Sequence, residues 1–299
     1  MSTSLPSSDS RGRVAGTHAA FVVPSMPLAS CIRCYVVRNT LKAAPMSPWQ
    51  RFNHFAALPY ATITWFFQGE CESLWIGEKP LDFRFTPIFF CGPFSQPMTS
   101  YNPGPVDALT ISLMPGAIHL LTGLDVAAYT DRLVPVEEIF DDAWQAMAKS
   151  VYEAPDQASR IARIEAFLEP LWQAARTRNG LRATWFQDCL NGLSIRAVNS
   201  DWSRSVRQLE RRIRTWTGLP MVRLRSLQRS EDGFFGAVAA HQANRLSWAE
   251  VAAETGFADQ AHFCRETRRV TGVSPTELVR KMLTEESYWP YRIFAGDDV

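Results

Sequence analysis

The residues able to do chemistry in this 299-residue chain fall into three sets. Six cysteines stand at 31, 34, 71, 91, 189 and 264, with Cys31 and Cys34 forming a lone C-x-x-C. A structural zinc site wants four ligands, and no second pair or H-x-x-x-H follows, so the two read as half-buried strand or loop thiols. His54 and His119 are isolated, whereas a cupin-type metal site needs two closely spaced histidines and a carboxylate from neighbouring strands. No catalytic residue, metal or cofactor is expected from either set. The third set is of another kind: Arg204, Arg207, Arg211, Arg212, Arg214, Arg223, Arg225 and Arg229 stand against Glu210 alone. A solvated helix face accounts for any one of these arginines but poorly for the cluster, which points to a polyanion partner.

Stepping outward, the arginines sit in a repeat. Residues 205–218 match residues 259–272 at an offset of 54, superposing Leu209 on Phe263, Arg211 on Arg265, Arg214 on Arg268 and Thr217-Gly218 on Thr271-Gly272. Each copy opens on an N-cap residue, Ser205 or Asp259, and closes on a helix-stopping glycine. The second is preceded by an amphipathic stretch, 248–255, that ends at Gly256 a few residues before the next helix begins. That arrangement is a helix-turn-helix, whose second helix presents its N-terminal residues to the DNA major groove. In the first copy the leading helix would be residues 195–200. Residues 221–240 read as a joining helix of roughly 30 Å, close to the ~34 Å between successive major grooves on one DNA face. Gly233 and Gly236 weaken it and predict a bend near its end.

The run from Leu246 to Glu266, with Thr271-Gly272-Val273-Ser274-Pro275, resembles the signature of the AraC/XylS family of bacterial transcription regulators. The resemblance covers about residues 185–283 and implies a helical DNA-binding domain with two helix-turn-helices joined by a long helix. It further implies base reading by Arg207, Glu210 and Arg211 in the first unit, and by Gln260, Ala261, His262 and Arg265 in the second. The chemistry agrees for several: arginine pairs with guanine, glutamine with adenine, glutamate with cytosine. Arg212, Arg214, Arg268 and Arg269 lie further along their helices and read as phosphate contacts, which give affinity and salt dependence without sequence information. Three positions depart from the family pattern. Asn199 replaces a small alanine and Ser203 a turn glycine, both in the first unit, and Thr267 replaces a core phenylalanine, at a packing cost of about 1 kcal/mol or more.

The N-terminal half must position whatever controls this reader. Short β-branched or aromatic runs at 62–67, 73–76, 87–91 and 108–113, bounded by Gly, Pro or Asn, predict a β-sandwich or small barrel. Residues 49–101 hold 14 aromatics, which suit either an apolar ligand pocket or simply the core. The expected fold is therefore a β-rich, barrel-like (cupin-like) sensor domain at 18–150 and an all-α double helix-turn-helix domain at 181–285. A flexible tail at 1–17, a connecting helix at 151–180 and a C-terminal tail at 286–299 complete the division.

Composition agrees. The formal net charge is only +1, which excludes a uniformly basic coat protein. Residues 176–285 nevertheless carry 18 basic against 11 acidic groups, and the remainder 13 against 19. No segment approaches the ~18–20 apolar residues of a membrane span, and the faintly signal-like stretch 14–30 is broken by His18, Pro24 and Pro27. The expectation is a cytoplasmic, non-enzymatic regulator that binds double-stranded DNA and responds to a small-molecule effector, with RNA polymerase and a second copy of the chain as further partners. Two alternatives are an enzyme carrying the same DNA-binding module, such as a DNA-repair methyltransferase, and a β-domain that binds only protein. The first needs a methyl-acceptor cysteine cluster that the spacing of the cysteines does not offer.

Overall fold

The computed structural model describes residues 12–179 and 206–296. Ten strands run in chain order as β1 (His18–Val22), β2 (Ile32–Asn39), β3 (Phe52–Phe55), β4 (Ala61–Gln68), β5 (Ser73–Ile76), β6 (Lys79–Pro80), β7 (Ile88–Cys91), β8 (Met98–Tyr101), β9 (Asp107–Leu113) and β10 (Leu133–Pro135). They form two antiparallel sheets, a six-stranded one ordered β1-β2-β9-β4-β7-β10 and a four-stranded one ordered β3-β8-β5-β6. The domain is thus β-rich with two separate sheets, not a closed barrel.

The two-residue period of the strands sorts the larger sheet into unlike faces. Tyr35, Ile63, Trp65, Phe90, Leu109 and Ile111 turn to one side. There they meet α1 (Ala117–Thr122), α2 (Asp142–Tyr152) and α3 (Gln157–Asn179). The main core lies here, and the Trp65 indole donates to the carbonyl of Ala148 at 2.9 Å. The helix in the 151–180 segment packs onto the β-domain: Ile164, Leu168, Trp172 and Ala175 are buried in this core. On the opposite face, toward the four-stranded sheet, the same strands present Arg38, Thr62, Thr64, Ala108, Thr110 and Ser112.

The second half contains α4 (Val206–Thr217), α5 (Met221–Gln242), α6 (Trp248–Glu254), α7 (Gln260–Thr271), α8 (Pro275–Thr284), a 3-10 turn (Glu286–Tyr288) and α9 (Trp289–Phe294). The repeat seen in sequence is a repeat in space. α4 and α7 are 12 residues each and begin and end at an offset of 54. Thr217 Oγ1 donates to the carbonyl of Ile213 at 2.7 Å and Thr271 Oγ1 to that of Thr267 at 2.8 Å. Gly218 and Gly272 follow at φ +81° and +82°, the left-handed conformation that ends a helix and favours glycine. α5 is one uninterrupted helix of 22 residues, about 33 Å long. Gly233 is there for packing: a Cβ on it would lie 2.7 Å from Phe263 Cε2, so the glycine lets α7 seat its ring against α5.

The expected C-terminal tail is instead among the most buried parts of the molecule. Glu286 and Arg292 are 0% exposed, and Trp289, Tyr291 and Ile293 are buried with them. The tail expected at 1–17 is likewise anchored from its end, since Thr17 is buried and the Val14 amide donates to Glu286 Oε2 at 3.1 Å. Residues 1–11 lie outside the described residues.

Candidate nucleic-acid interface and adjoining cavity

In the second helix-turn-helix, Ser247 caps α6 by accepting from Glu250 N, and Gly256 makes the turn at φ +74°. Asp259 then caps α7, accepting from the His262 amide at 2.6 Å. Phe257, Phe263, Val251, Ala252 and Ala237 pack beneath this motif and fix the angle between the two helices. The outer face of α7 is left to solvent: Gln260, Ala261 and Arg265 are exposed, and His262 is half-buried with its ring on the edge of Phe257 at 5.3 Å. On α4, Arg207 and Arg211 are exposed and Glu210 is half-buried. Neither Arg211 nor Arg265 makes an ion pair among the described residues. The leading helix of the first unit, with Asn199 and Ser203, lies outside the described residues.

The four arginines read as phosphate contacts divide. Arg214 and Arg268 are exposed, while Arg212 and Arg269 are half-buried. Arg269 is already engaged: its Nε donates to Glu266 Oε2 at 2.7 Å and its Nη2 to Ser226 Oγ at 3.0 Å. That side chain ties α7 to α5, so a purely phosphate-binding role is corrected to a structural one. Thr267 is 8% exposed and borders a void of about 30 Å³, shared with Phe263, Phe234, Leu278 and neighbours. The equivalent position in the first copy is Ile213, which is fully buried. The space left by a small residue at 267 is therefore real and about one water molecule in size.

The recognition helices are moored to the β-domain by their C-terminal ends. Thr130 Oγ1 donates to the carbonyl of Gly218 at 2.8 Å, just after α4, and the His119 and Trp216 rings meet at 6.0 Å. The Ala57 amide donates to the carbonyl of Val270 at 2.8 Å, in the last turn of α7. Midway along α5, Glu231 receives Arg33 Nη2 and the Tyr60 hydroxyl, both at 2.7 Å. A further clasp comes from the C-terminal segment: Arg38 Nη2 reaches Glu286 Oε1 at 2.6 Å, and the Trp289 indole donates to Asn53 Oδ1 at 2.7 Å.

Between the two sheets lies a cavity of about 150 Å³, and Trp289, Pro290 and Phe294 of α9 form part of its wall. Its polar atoms are largely paired, as in Thr64 Oγ1 with Thr110 Oγ1 at 2.9 Å and Asn53 Nδ2 to Asn102 Oδ1 at 2.6 Å. Arg38 is the exception. Its Nη1 is buried with no hydrogen-bond partner among the described residues, and burial pulls the guanidinium below its usual range against the opposing pull of Glu286. The aromatic density at 49–101 is shared between this cavity and the cores around it, so neither of the two readings of it holds alone. In the sequence the signal of Arg38 is faint: it shares the cavity-facing side of β2 with Val36, which places a charge at an inward strand position.

Cys31 and Cys34 are fully buried rather than half-buried, and burial pushes both thiols up, Cys34 to about 12. Among the described residues no group of His, Cys, Asp or Glu is placed to hold a metal ion. No helix of the described residues is long and apolar enough to cross a membrane.

A β-rich domain packed on a helical domain, whose helix-turn-helix leaves an exposed face carrying Arg265 and Arg268, is an architecture suited to binding DNA. Residues 201–281 match the family described as "Helix-turn-helix domain", and residues 20–135 match one described as "Domain of unknown function (DUF6597)". The helix-turn-helix match falls on the segment that carries the repeat, and each of the two matches covers less than half of the chain. No curated protein matches the chain. Among solved structures it is similar to ToxT from Vibrio cholerae O395, at 11% identity over 88% of this chain and 96% of that one, with a TM-score of 0.37. It is also similar to unsaturated fatty acid bound wild-type ToxT from Vibrio cholerae strain SCE256, at 9% identity over 92% and 97%, with a TM-score of 0.38.

Proposed function

We propose that this protein is a cytoplasmic, one-component transcription regulator that reads DNA through α4 and α7 and whose β-domain senses a small molecule. The observation that carries the reading is the mooring of both recognition helices on the β-domain, through Gly218 and Val270. Any change in the β-domain that alters either anchor changes how the two helices meet successive major grooves, which is a coupling free energy between two sites. The cavity between the sheets supplies a place for such a change to begin. A non-enzymatic role is supported by Cys31, Cys34, Cys71 and Cys91 of the β-domain, whose buried thiols are pushed up, opposite to what a nucleophile needs.

Selection of bound DNA from a random pool tests the reading. An enriched motif with two half-elements one helical turn apart is the expected result, followed by a change in its affinity when a metabolite mixture is added. Failure to enrich any sequence at moderate salt would sink it. Contact with RNA polymerase and pairing with a second copy belong to the same proposal, and sedimentation of the protein with the selected DNA, with and without polymerase, tests both.

A further inference from the structure

We propose that the cavity between the sheets is a site for a compact apolar monocarboxylate, its carboxylate on Nη1 of Arg38 and its hydrocarbon body among the aromatic and hydroxyl side chains; this rests on the sensor reading above.

Four observations lead there. First, Arg38 is the one charged residue among the described cavity walls, and its Nη1 is buried and unpartnered. A buried guanidinium donor left unmade is costly, and a carboxylate is the acceptor that suits it best. Second, the one acidic partner that Arg38 has is shared: Glu286 receives Arg38 at 2.6 Å and Arg292 at 3.2 Å, and both arginines are almost wholly buried. Third, the wall beyond Arg38 is apolar, with Phe55, Phe66, Phe89 and Met98 facing the hydroxyls of Thr64 and Thr110. Those hydroxyls are satisfied by each other, so the body of the ligand need offer no hydrogen bonds. Fourth, the cavity is about 150 Å³, the size of an apolar cavity that holds a benzene-sized body. That selects a short branched or cyclic acid over a long chain.

The same arginine gives the site its outlet. Arg38 Nη2 holds Glu286, and its guanidinium lies over the Trp289 ring at 4.8 Å. Both partners belong to the segment that follows the DNA-binding helices. A carboxylate on Nη1 satisfies the buried donor and steadies the guanidinium that makes this clasp, so ligand binding and seating of the C-terminal segment reinforce one another.

The test is calorimetric titration of the full chain with cyclopentanecarboxylate and 3-methylbutanoate, with the matching amides, and with dodecanoate. The expected result is that the short acids bind, each amide binds at least about tenfold more weakly, and dodecanoate does not bind. Arg38→Gln lowers acid binding to the level of the amide. Should that variant not fold, Thr110→Leu, which fills the cavity with an apolar side chain, abolishes binding of acid and amide alike while the circular dichroism stays native. Equal binding of acid and amide to the native chain, or no binding of either acid at millimolar concentration, overturns the proposal. If amides bind, Thr110→Leu blocks them and they change DNA affinity, only the carboxylate assignment falls and the sensor reading stands. If the native and Thr110→Leu chains hold DNA identically in the presence of every compound, the sensor reading falls as well.

Discussion

Arg265 and Arg268 stand three residues apart on one helix, both exposed, yet they are expected to do different work. Arg265 lies in the N-terminal half of α7, which also holds Gln260 and Ala261 and is the part proposed to reach base edges; Arg268 lies in its last turn. Arg265→Ala should weaken binding to the selected site by about 1–3 kcal/mol and relax one position of its sequence. Arg268→Ala should weaken all sequences alike and reduce the salt slope by about 1. Titration of one specific and one scrambled duplex at several salt concentrations separates the two; equal losses on both duplexes from both variants would undo the division. Arg269 carries a different expectation. Because it bridges Glu266 and Ser226, Arg269→Ala should lower the denaturation midpoint by an amount worth roughly 1 kcal/mol, since it leaves the half-buried Glu266 short of a partner. The resemblance placed these residues on a helix correctly, but spacing cannot distinguish an arginine that faces solvent from one that faces its own domain.

At the scale of elements, the repeat shows why some of this protein was legible. A 12-residue helix with an N-cap, an amphipathic period and a terminal glycine carries its instructions locally, so α4 and α7 were readable from the chain. The short segment 286–294 carries none of them. It is too brief for a period, and its partners Arg38 and Asn53 lie more than 230 residues away. The inner face of the large sheet was half legible: alternation marks Thr62, Thr64, Thr110 and Ser112 as one face, but only the second sheet shows that this face encloses space. Two predictions belong here. Thr267→Ile should stabilise the second helix-turn-helix, because its extra methyl group enters the void of about 30 Å³ beside it, worth about 0.7 kcal/mol at the usual cost per unit of cavity volume; thermal denaturation measures it. His54 on β3 packs against Phe52 and Tyr288 and bonds Thr99 Oγ1 at 3.1 Å. Burial, with Lys281 adding to it, pushes the imidazole down to about 4. The unfolded chain, with a histidine near 6.5, then binds more protons than the folded one between these values, so stability rises with pH there. The contribution is complete above pH ~6.5, is lost as pH falls toward 4, and amounts to about 3 kcal/mol. His54→Gln should flatten that part of the pH–stability curve, measured by urea denaturation.

Taken whole, the molecule is two domains joined by contacts that include Thr130 with Gly218, Ala57 with Val270, Arg33 and Tyr60 with Glu231, Arg223 with Ser95, and the cluster around Arg38 and Glu286. The near-neutral charge of the chain is the sum of an acidic remainder and a basic reader, but the structure adds that the halves are not separable without cost. Phe21 and Phe55 of the β-domain rest on Phe294 and Trp289, at ring separations of 5.2 and 5.9 Å. Trp289→Ala removes a buried ring from this contact, so it should cost about 3 kcal/mol or more and increase protease cleavage between the domains. Unchanged cleavage would mean that the other contacts suffice to hold the halves together.

The clasp between Arg38 and Glu286 also has a kinetic meaning. Its two residues are 248 positions apart, and closing so long a loop from an open chain costs roughly 5 kcal/mol of entropy. Local contacts, such as those inside each helix-turn-helix, need no such closure and come first. The clasp therefore forms late in folding, after the halves have found each other, and by the same token it is an early place for the native chain to open.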